Sequence, residues 1–268
     1  MPEAGPTPDD ADGGVLVLLR HGQSTFNAEQ RFTGLLDPGL TARGEAEARR
    51  AAAELLDAGL VPDVVLTSPL RRARRTTDLV LAGLAGGRPA EGGAVVPRPE
   101  EVWALAERHY GAWSGRLKAP LRAEAGPEDF HALRRRLSGA PPPAGPGHER
   151  LPDLAPALAH LPAARARGVE SLADVVARVE PAWRPRVPDL LAAGHTVLVV
   201  AHGNSLRAVC VVVDDLSPVE VEALDLPTGH PLVYRADGAG HLTPRGGTYL
   251  DAETARRAAE AVAAEGGT

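Results

Sequence analysis

The sequence predicts an α/β fold: a three-layer α/β/α sandwich with a mainly parallel sheet and an inserted lid region. Three observations predict it. Residues 15–19 and, after Thr196, residues 197–201 are short, unbroken apolar runs, the pattern of strands buried on both faces. Each run leads within two residues to a histidine followed by glycine, His21-Gly22 and His202-Gly203. Helical patterns alternate with such runs along the chain, as they do where helices cover both faces of a parallel sheet.

Taken in order, residues 1–14 are acidic and rich in Pro and Gly, and read as a disordered tail ahead of a single domain over 15–268. After the first strand, Ser24 or Thr25 can cap a helix whose first amides favour an anion. Thr41 caps a second helix that runs to Gly59. Residues 64–66 form a short buried strand ending at Thr67-Ser68-Pro69, and Pro69 suits the first turn of the next helix. That helix carries Arg71, Arg72, Arg74 and Arg75, with Leu70, Ala73, Thr77, Leu81 and Leu84 on its core side. A third strand is expected near Val95. Residues 112–168 show no strand pattern and carry Pro141 to Pro143 and Pro146, so they read as a lid inserted over the sheet edge. A helical stretch over 170–193 is interrupted by Pro181, Pro185 and Pro188. Beyond the second His-Gly come an apolar helix to Val213, another helix opened by Ser217-Pro218, a strand over 231–236 and a final helix over 251–264.

Composition narrows the function. With 268 residues there is ample length for a core, and a net charge of -6 argues against nucleic acid or an anionic membrane as the main partner. The single cysteine, Cys210, sits in an apolar run and permits neither a disulfide framework nor a Cys-based metal site. No stretch has the length of a membrane span and the start is unlike a signal peptide, so a cytoplasmic location is expected. Lys118 is the one lysine among 29 basic residues, and Asn27 and Asn204 are the two asparagines; each asparagine lies within six residues of a His-Gly pair.

In an open parallel sheet ligands bind beyond the carboxyl ends of the strands, where Arg20, His21 and Gly22 would stand. Gly22 permits a sharp turn and close approach of the backbone. Arg20 can hold phosphate through its fork, and a neutral His21 can attack phosphorus. His202, at the end of the second run, can stabilise charge on the transferring oxygens. A serine-hydrolase elbow is excluded, because Arg207 stands where G-x-S-x-G requires its last glycine.

Further motifs extend this pattern. They are Arg-His-Gly-Gln-Ser-x-x-Asn (20–27), Arg-Phe-Thr-Gly (31–34), Thr-Ser-x-x-x-Arg-Ala (67–73) and Glu-Arg-His-Tyr-Gly (107–111). Arg-Arg ahead of Pro-Pro-Pro (135–143), Ala-His-Gly-Asn-Ser-Leu-Arg (201–207) and Leu-Pro-Thr-Gly-x-Pro (226–231) complete the set. In this order, across nearly the whole chain, they resemble the histidine phosphatase superfamily, and within it the cofactor-dependent phosphoglycerate mutases.

The resemblance implies that His21 is the phosphohistidine nucleophile, Glu107 the proton donor and acceptor, and His202 the transition-state stabiliser. Arg20, Asn27 and Arg72 would line the phosphate pocket with the amides of Gly203 and Asn204. Gly22, Gln23 and Ser24 belong to the same loop. Thr33, Gly34, Arg108, His109, Tyr110, Lys118, Arg135 and Arg136 would hold the rest of a small phosphorylated three-carbon acid. The implied reaction interconverts 3-phosphoglycerate and 2-phosphoglycerate, primed by 2,3-bisphosphoglycerate without a metal, in an enzyme that forms homodimers or homotetramers. The alternative is a phosphatase or specialised paralogue acting on another small phosphorylated metabolite; a non-catalytic anion-binding relative is a third reading. The chain departs from the mutases at Leu35-Leu36-Asp37, where an aromatic is usual, in a shorter 144–169 region and in a C-terminus without lysines. Lid and tail exclude water, so these departures bear on mutase efficiency more than on phosphoryl chemistry.

Overall fold

The computed structural model describes residues 13–87, 96–237 and 241–264. Six strands form one sheet: β1 (Val15–Arg20), β2 (Val64–Thr67), β3 (Glu100–Glu101), β4 (Thr196–Ala201), β5 (Pro231–Ala236) and β6 (Leu242–Tyr249), in the order β3-β2-β4-β1-β5-β6. The first four in that order run parallel, and β5 is antiparallel to both β1 and β6. The strand expected near Val95 lies outside the described residues, as does most of the expected tail. The described edge strand, β3, is a polar Glu-Glu pair with no apolar pattern to announce it.

Alternation along β1 divides the core. Leu16 and Leu18, with Val197 and Val199 of β4, face α8 (Leu172–Trp183), α9 (Val187–Ala192) and α10 (Gly203–Asp214). Val15, Val17 and Leu19, with Leu198 and Val200, face α2 (Ala42–Asp57) and α3 (Arg71–Gly86). Both faces of β1 and β4 are therefore dry, which is why residues 15–19 and 197–201 carry no polar residue. Pro181 is accommodated inside α8, so the break falls over 184–186.

Two expectations are corrected. Helix α3 begins at Arg71 with Leu70 as its cap, so Pro69 stands ahead of the first turn. The chain is still extended there, because the Ser68 amide continues the ladder to the Val200 carbonyl at 3.0 Å. The Asp37 carboxylate then accepts from the Arg71 amide at 2.7 Å and supplies the missing cap. Strand β6, at the sheet's other edge, was not expected; its sequence is largely exposed and lacks apolar alternation.

The segment between β3 and α8, expected as a long loop without a strand pattern, is largely helical. It holds α4 (Lys118–Ala125), α5 (Pro127–Arg135), α6 (Ala155–His160) and α7 (Pro162–Arg167). Leu154, Ala157, Leu158 and Leu161 pack on Leu35 and Leu70, while Phe130 and Leu121 pack on Phe32, Tyr110 and Trp113. These contacts set the segment against the loops at the carboxyl edge of the sheet. The short helices α1 (Thr25–Ala28) and α11 (Pro218–Ala223) flank that edge, and α12 (Ala252–Ala264) follows β6.

Candidate active site

Register brings the two histidines together. Arg20 pairs with Ala201, so β1 and β4 end level, and the His21 amide donates to the Ala201 carbonyl at 3.0 Å. The rings of His21 and His202 meet edge to face with centroids 4.9 Å apart. On the other side of β4, β2 ends at Thr67, and Ser68 Oγ lies 2.7 Å from His202 Nε2. Three neighbouring parallel strands thus deliver Ser68, His202 and His21 side by side.

The state of His21 follows from its partners. Its Nδ1 lies 2.7 Å from the Gly22 carbonyl, and Arg72 Nε lies 3.2 Å from its Nε2. A carbonyl can only accept and a guanidinium can only donate, so Nδ1 bears the proton and Nε2 a lone pair. Burial, seconded by the positive charges of Arg72 and Arg20, holds the His21 pKa well below its usual value. His202 is lowered likewise, by burial first and then by Arg72, His21 and Arg20. Both rings are neutral near pH 7, the form that phosphoryl attack requires.

The arginines are equally fixed. Arg72 is fully buried and donates to the carbonyls of Leu36 and Gly34, each at 2.9 Å, and burial pushes its pKa down to about 10. Arg20 donates to the Leu226 carbonyl at 2.7 Å, and its buried Nε has no acceptor. His202 Nδ1 is buried and without a partner too. Unsatisfied groups of this kind beside two cations suit an anion's oxygens.

Glu107 enters from the loop between β3 and α4. Its Oε1 accepts from the Arg108 amide at 2.7 Å and from Asn204 Nδ2 at 3.2 Å. Asn204 also donates to the Tyr110 hydroxyl at 2.8 Å, so α10 fixes acid and phenol together. Gly22 meets the first turn of α2 so closely that a Cβ would lie 2.1 Å from the Gly44 carbonyl oxygen. Gln23 donates its amide to Glu47 at 2.8 Å, and Ser24 caps α1 reciprocally with Asn27. Thr33 and Gly34 are buried beside Arg72 and Tyr110. Gly203 opens α10 directly after His202.

The other expected binding residues have the following partners. Arg108 is fully buried and gives its guanidinium to the carbonyls of Glu170, Arg134, Leu133 and Gly139. Arg135 is engaged with Asp225 at 2.9 Å and with the carbonyls of Glu222 and Leu224. Arg136 is largely exposed, 3.7 Å from Glu222. The His109 ring lies tilted against that of His148 with centroids 5.4 Å apart, and burial pushes its pKa down to about 4. Lys118 opens α4, half-buried, its amide on the Gln30 carbonyl.

Sequence reasoning passed over three supporting residues. Ser68 orients His202. Arg178, paired with Glu170 at 2.8 Å, donates to the carbonyls of Ala106 and Glu107 and braces the loop that carries the acid. Arg207 donates to Asn204 Oδ1 at 3.1 Å, holding the amide that holds Glu107. An arginine within the apolar α10 pattern was the available signal for Arg207; nothing local singles out Arg178.

Fold and site together define an α/β phosphate-handling protein with paired histidines at the strand ends. Residues 16–155 and 147–241 match the histidine phosphatase superfamily (branch 1). A 2,3-bisphosphoglycerate-dependent phosphoglycerate mutase of Thermobifida fusca is 46% identical over 254 residues, covering 94% of this chain and 99% of the relative. One from Mycobacterium tuberculosis (strain H37Rv) is 44% identical over 256 residues, covering 96% of this chain and 99% of its own. Among solved structures, a mycobacterial glucosyl-3-phosphoglycerate phosphatase complexed with VO3 superposes with a TM-score of 0.58 at 28% identity, over 82% of this chain and 92% of that one. The chain belongs to the histidine phosphatase superfamily and, within it, to the 2,3-bisphosphoglycerate-dependent phosphoglycerate mutases.

Proposed function

We propose that this enzyme interconverts 3-phosphoglycerate and 2-phosphoglycerate in the cytoplasm, with His21 carrying the phosphoryl group. The observation that carries the reading is the buried His21 Nε2 lone pair, 3.2 Å from Arg72 and beside the His202 ring. Nε2 attacks phosphorus, Arg72 and Arg20 take up charge on the equatorial oxygens, and Nδ1–H on the Gly22 carbonyl supports the positive ring that results. Ser68 can donate to His202 Nε2, which leaves the proton on Nδ1 as a donor to the same oxygens.

Proton balance falls to Glu107. The hydrogen bonds recorded at its carboxylate both end on Oε1, which leaves Oε2 to exchange the proton. The acid protonates the departing hydroxylate as His21 gains phosphorus, then receives the proton of the hydroxyl that takes the group back. The buried Arg20 Nε and His202 Nδ1, each without an acceptor, fit the primer's phosphate. Arg20, Arg72 and His202 would hold 2,3-bisphosphoglycerate, which when bound supplies the phosphoryl group that charges His21.

Incubation with 3-phosphoglycerate tests the reading. Formation of 2-phosphoglycerate that depends on added 2,3-bisphosphoglycerate, with little free phosphate, is the expected result. Free phosphate as the main product would replace the mutase with a phosphatase on the same histidine chemistry.

A further inference from the structure

Charge and an unsatisfied donor coincide at a second place. Behind residues 228–229 lies a cavity of about 590 Å³, walled by Arg43 and Arg50 of α2, Thr254 and Arg257 of α12, and Thr228 and His230. The wall holds three guanidinium groups and the Glu47 carboxylate, with Glu54 and Glu253 paired to Arg50 and Arg257 and Asp251 near His230. The Glu47 carboxylate is engaged: Oε2 accepts from the Gln23 amide at 2.8 Å and Oε1 from Arg43 Nε at 2.9 Å. Arg50 uses Nε on Glu54 and one terminal nitrogen on the Gly229 carbonyl, at 3.1 and 3.0 Å. Arg257 has only an exposed pair with Glu253 at 3.6 Å. Each fork thus retains N–H groups beyond its recorded bonds.

His230 supplies the independent observation. It is 5% exposed, and its Nε2 lies 3.3 Å from a terminal nitrogen of Arg50. That nitrogen can only donate, so His230 Nε2 holds the lone pair and Nδ1 the proton. Nδ1 is buried and meets no acceptor. An orphaned buried N–H among guanidinium groups is the complement of an anionic oxygen.

We propose that this cavity is a second anion site, which takes a compact polyanion of phosphate or carboxylate type on Arg43, Arg50, Arg257 and the His230 Nδ1–H. It shares no lining residue with the catalytic cluster. The two are joined through the backbone, because the Gly229 amide donates to the Arg20 carbonyl at 2.9 Å and Glu47 holds the Gln23 amide.

The test is a sulfate titration followed by imidazole NMR signals, with His230 assigned by its loss in His230→Gln and the catalytic pocket followed separately through the His21 signal. A saturable shift of the His230 signal is expected. The double variant Arg43→Gln/Arg257→Gln, both on exposed helix faces, should weaken that binding by about tenfold or more. Pyrophosphate and tricarballylate, titrated the same way, separate a phosphate from a carboxylate ligand by which binds tighter. No saturable shift, or an affinity unchanged in the double variant, would each overturn the proposal.

Discussion

Glu107 shows how a single residue is fixed from three directions for the role proposed for it. The next residue's amide and the Asn204 amide fix Oε1, Arg207 fixes Asn204, and Arg178 fixes the carbonyl of Glu107 itself. Glu107→Gln keeps the shape but cannot carry a proton, and general acid-base help is typically worth about 10² to 10⁴ in rate. Turnover should fall within that range while phosphorylation of His21 remains detectable; an unchanged turnover number would remove Glu107 from the mechanism. At this scale much was legible. The grouping of His21, His202, Arg20 and Arg72 could be read from the strand ends, since Arg20, His21 and His202 stand there and Arg72 opens the helix just past β2. Arg108 and Arg135 look the same in one dimension. Only the fold shows that backbone carbonyls, invisible in a sequence, take up their guanidinium groups.

Between elements the decisive contact is that of the loop after β1 with the first turn of α2. Gly22 and Gly44 face each other there, and a Cβ on Gly44 would lie 2.1 Å from the Gln23 carbonyl oxygen. Alanine normally gains up to about 1 kcal/mol over glycine inside a helix. At Gly44 the clash is with backbone and outweighs that gain, so Gly44→Ala should lower the unfolding midpoint and displace His21 enough to reduce kcat/KM. Gly86, in the last turn of α3, has nothing within 4 Å of its Cβ position. Gly86→Ala should be neutral or stabilising, and thermal unfolding of the pair decides; equal effects from both would refute the close-approach argument. The buried strands and long helices were readable because apolar period and caps agree, as Thr41 shows by capping α2. The edge strands β3 and β6 were not, since exposed polar residues pair there through backbone alone.

For the molecule as a whole, neutral buried histidines tie stability to pH. His21 and His202 are held well below the ordinary histidine range, and His109 is pushed down to about 4, in each case mainly by burial. The unfolded chain binds these protons near pH 6.5 while the folded chain does not, so stability rises with pH. Their contribution is complete above about pH 6.5 and is lost as pH falls through it, at up to about 1.4 kcal/mol per pH unit for each proton. For His109 the loss ends near pH 4, where the folded ring also protonates. Urea unfolding between pH 7.5 and 5.5 should show falling stability, with a shallower fall in His109→Gln. A flat profile, or one that the substitution leaves unchanged, would mean that these rings are not held neutral.

The central claim is that His21 carries the phosphoryl group, and trapping the phosphoenzyme tests it most directly. Enzyme quenched after brief exposure to labelled 2,3-bisphosphoglycerate should bear one label per chain, acid-labile and base-stable, on the peptide that contains His21. The label should be absent from His21→Ala, and chelators should leave it unchanged. Label that persists in His21→Ala, or that maps to any other residue, would contradict the account.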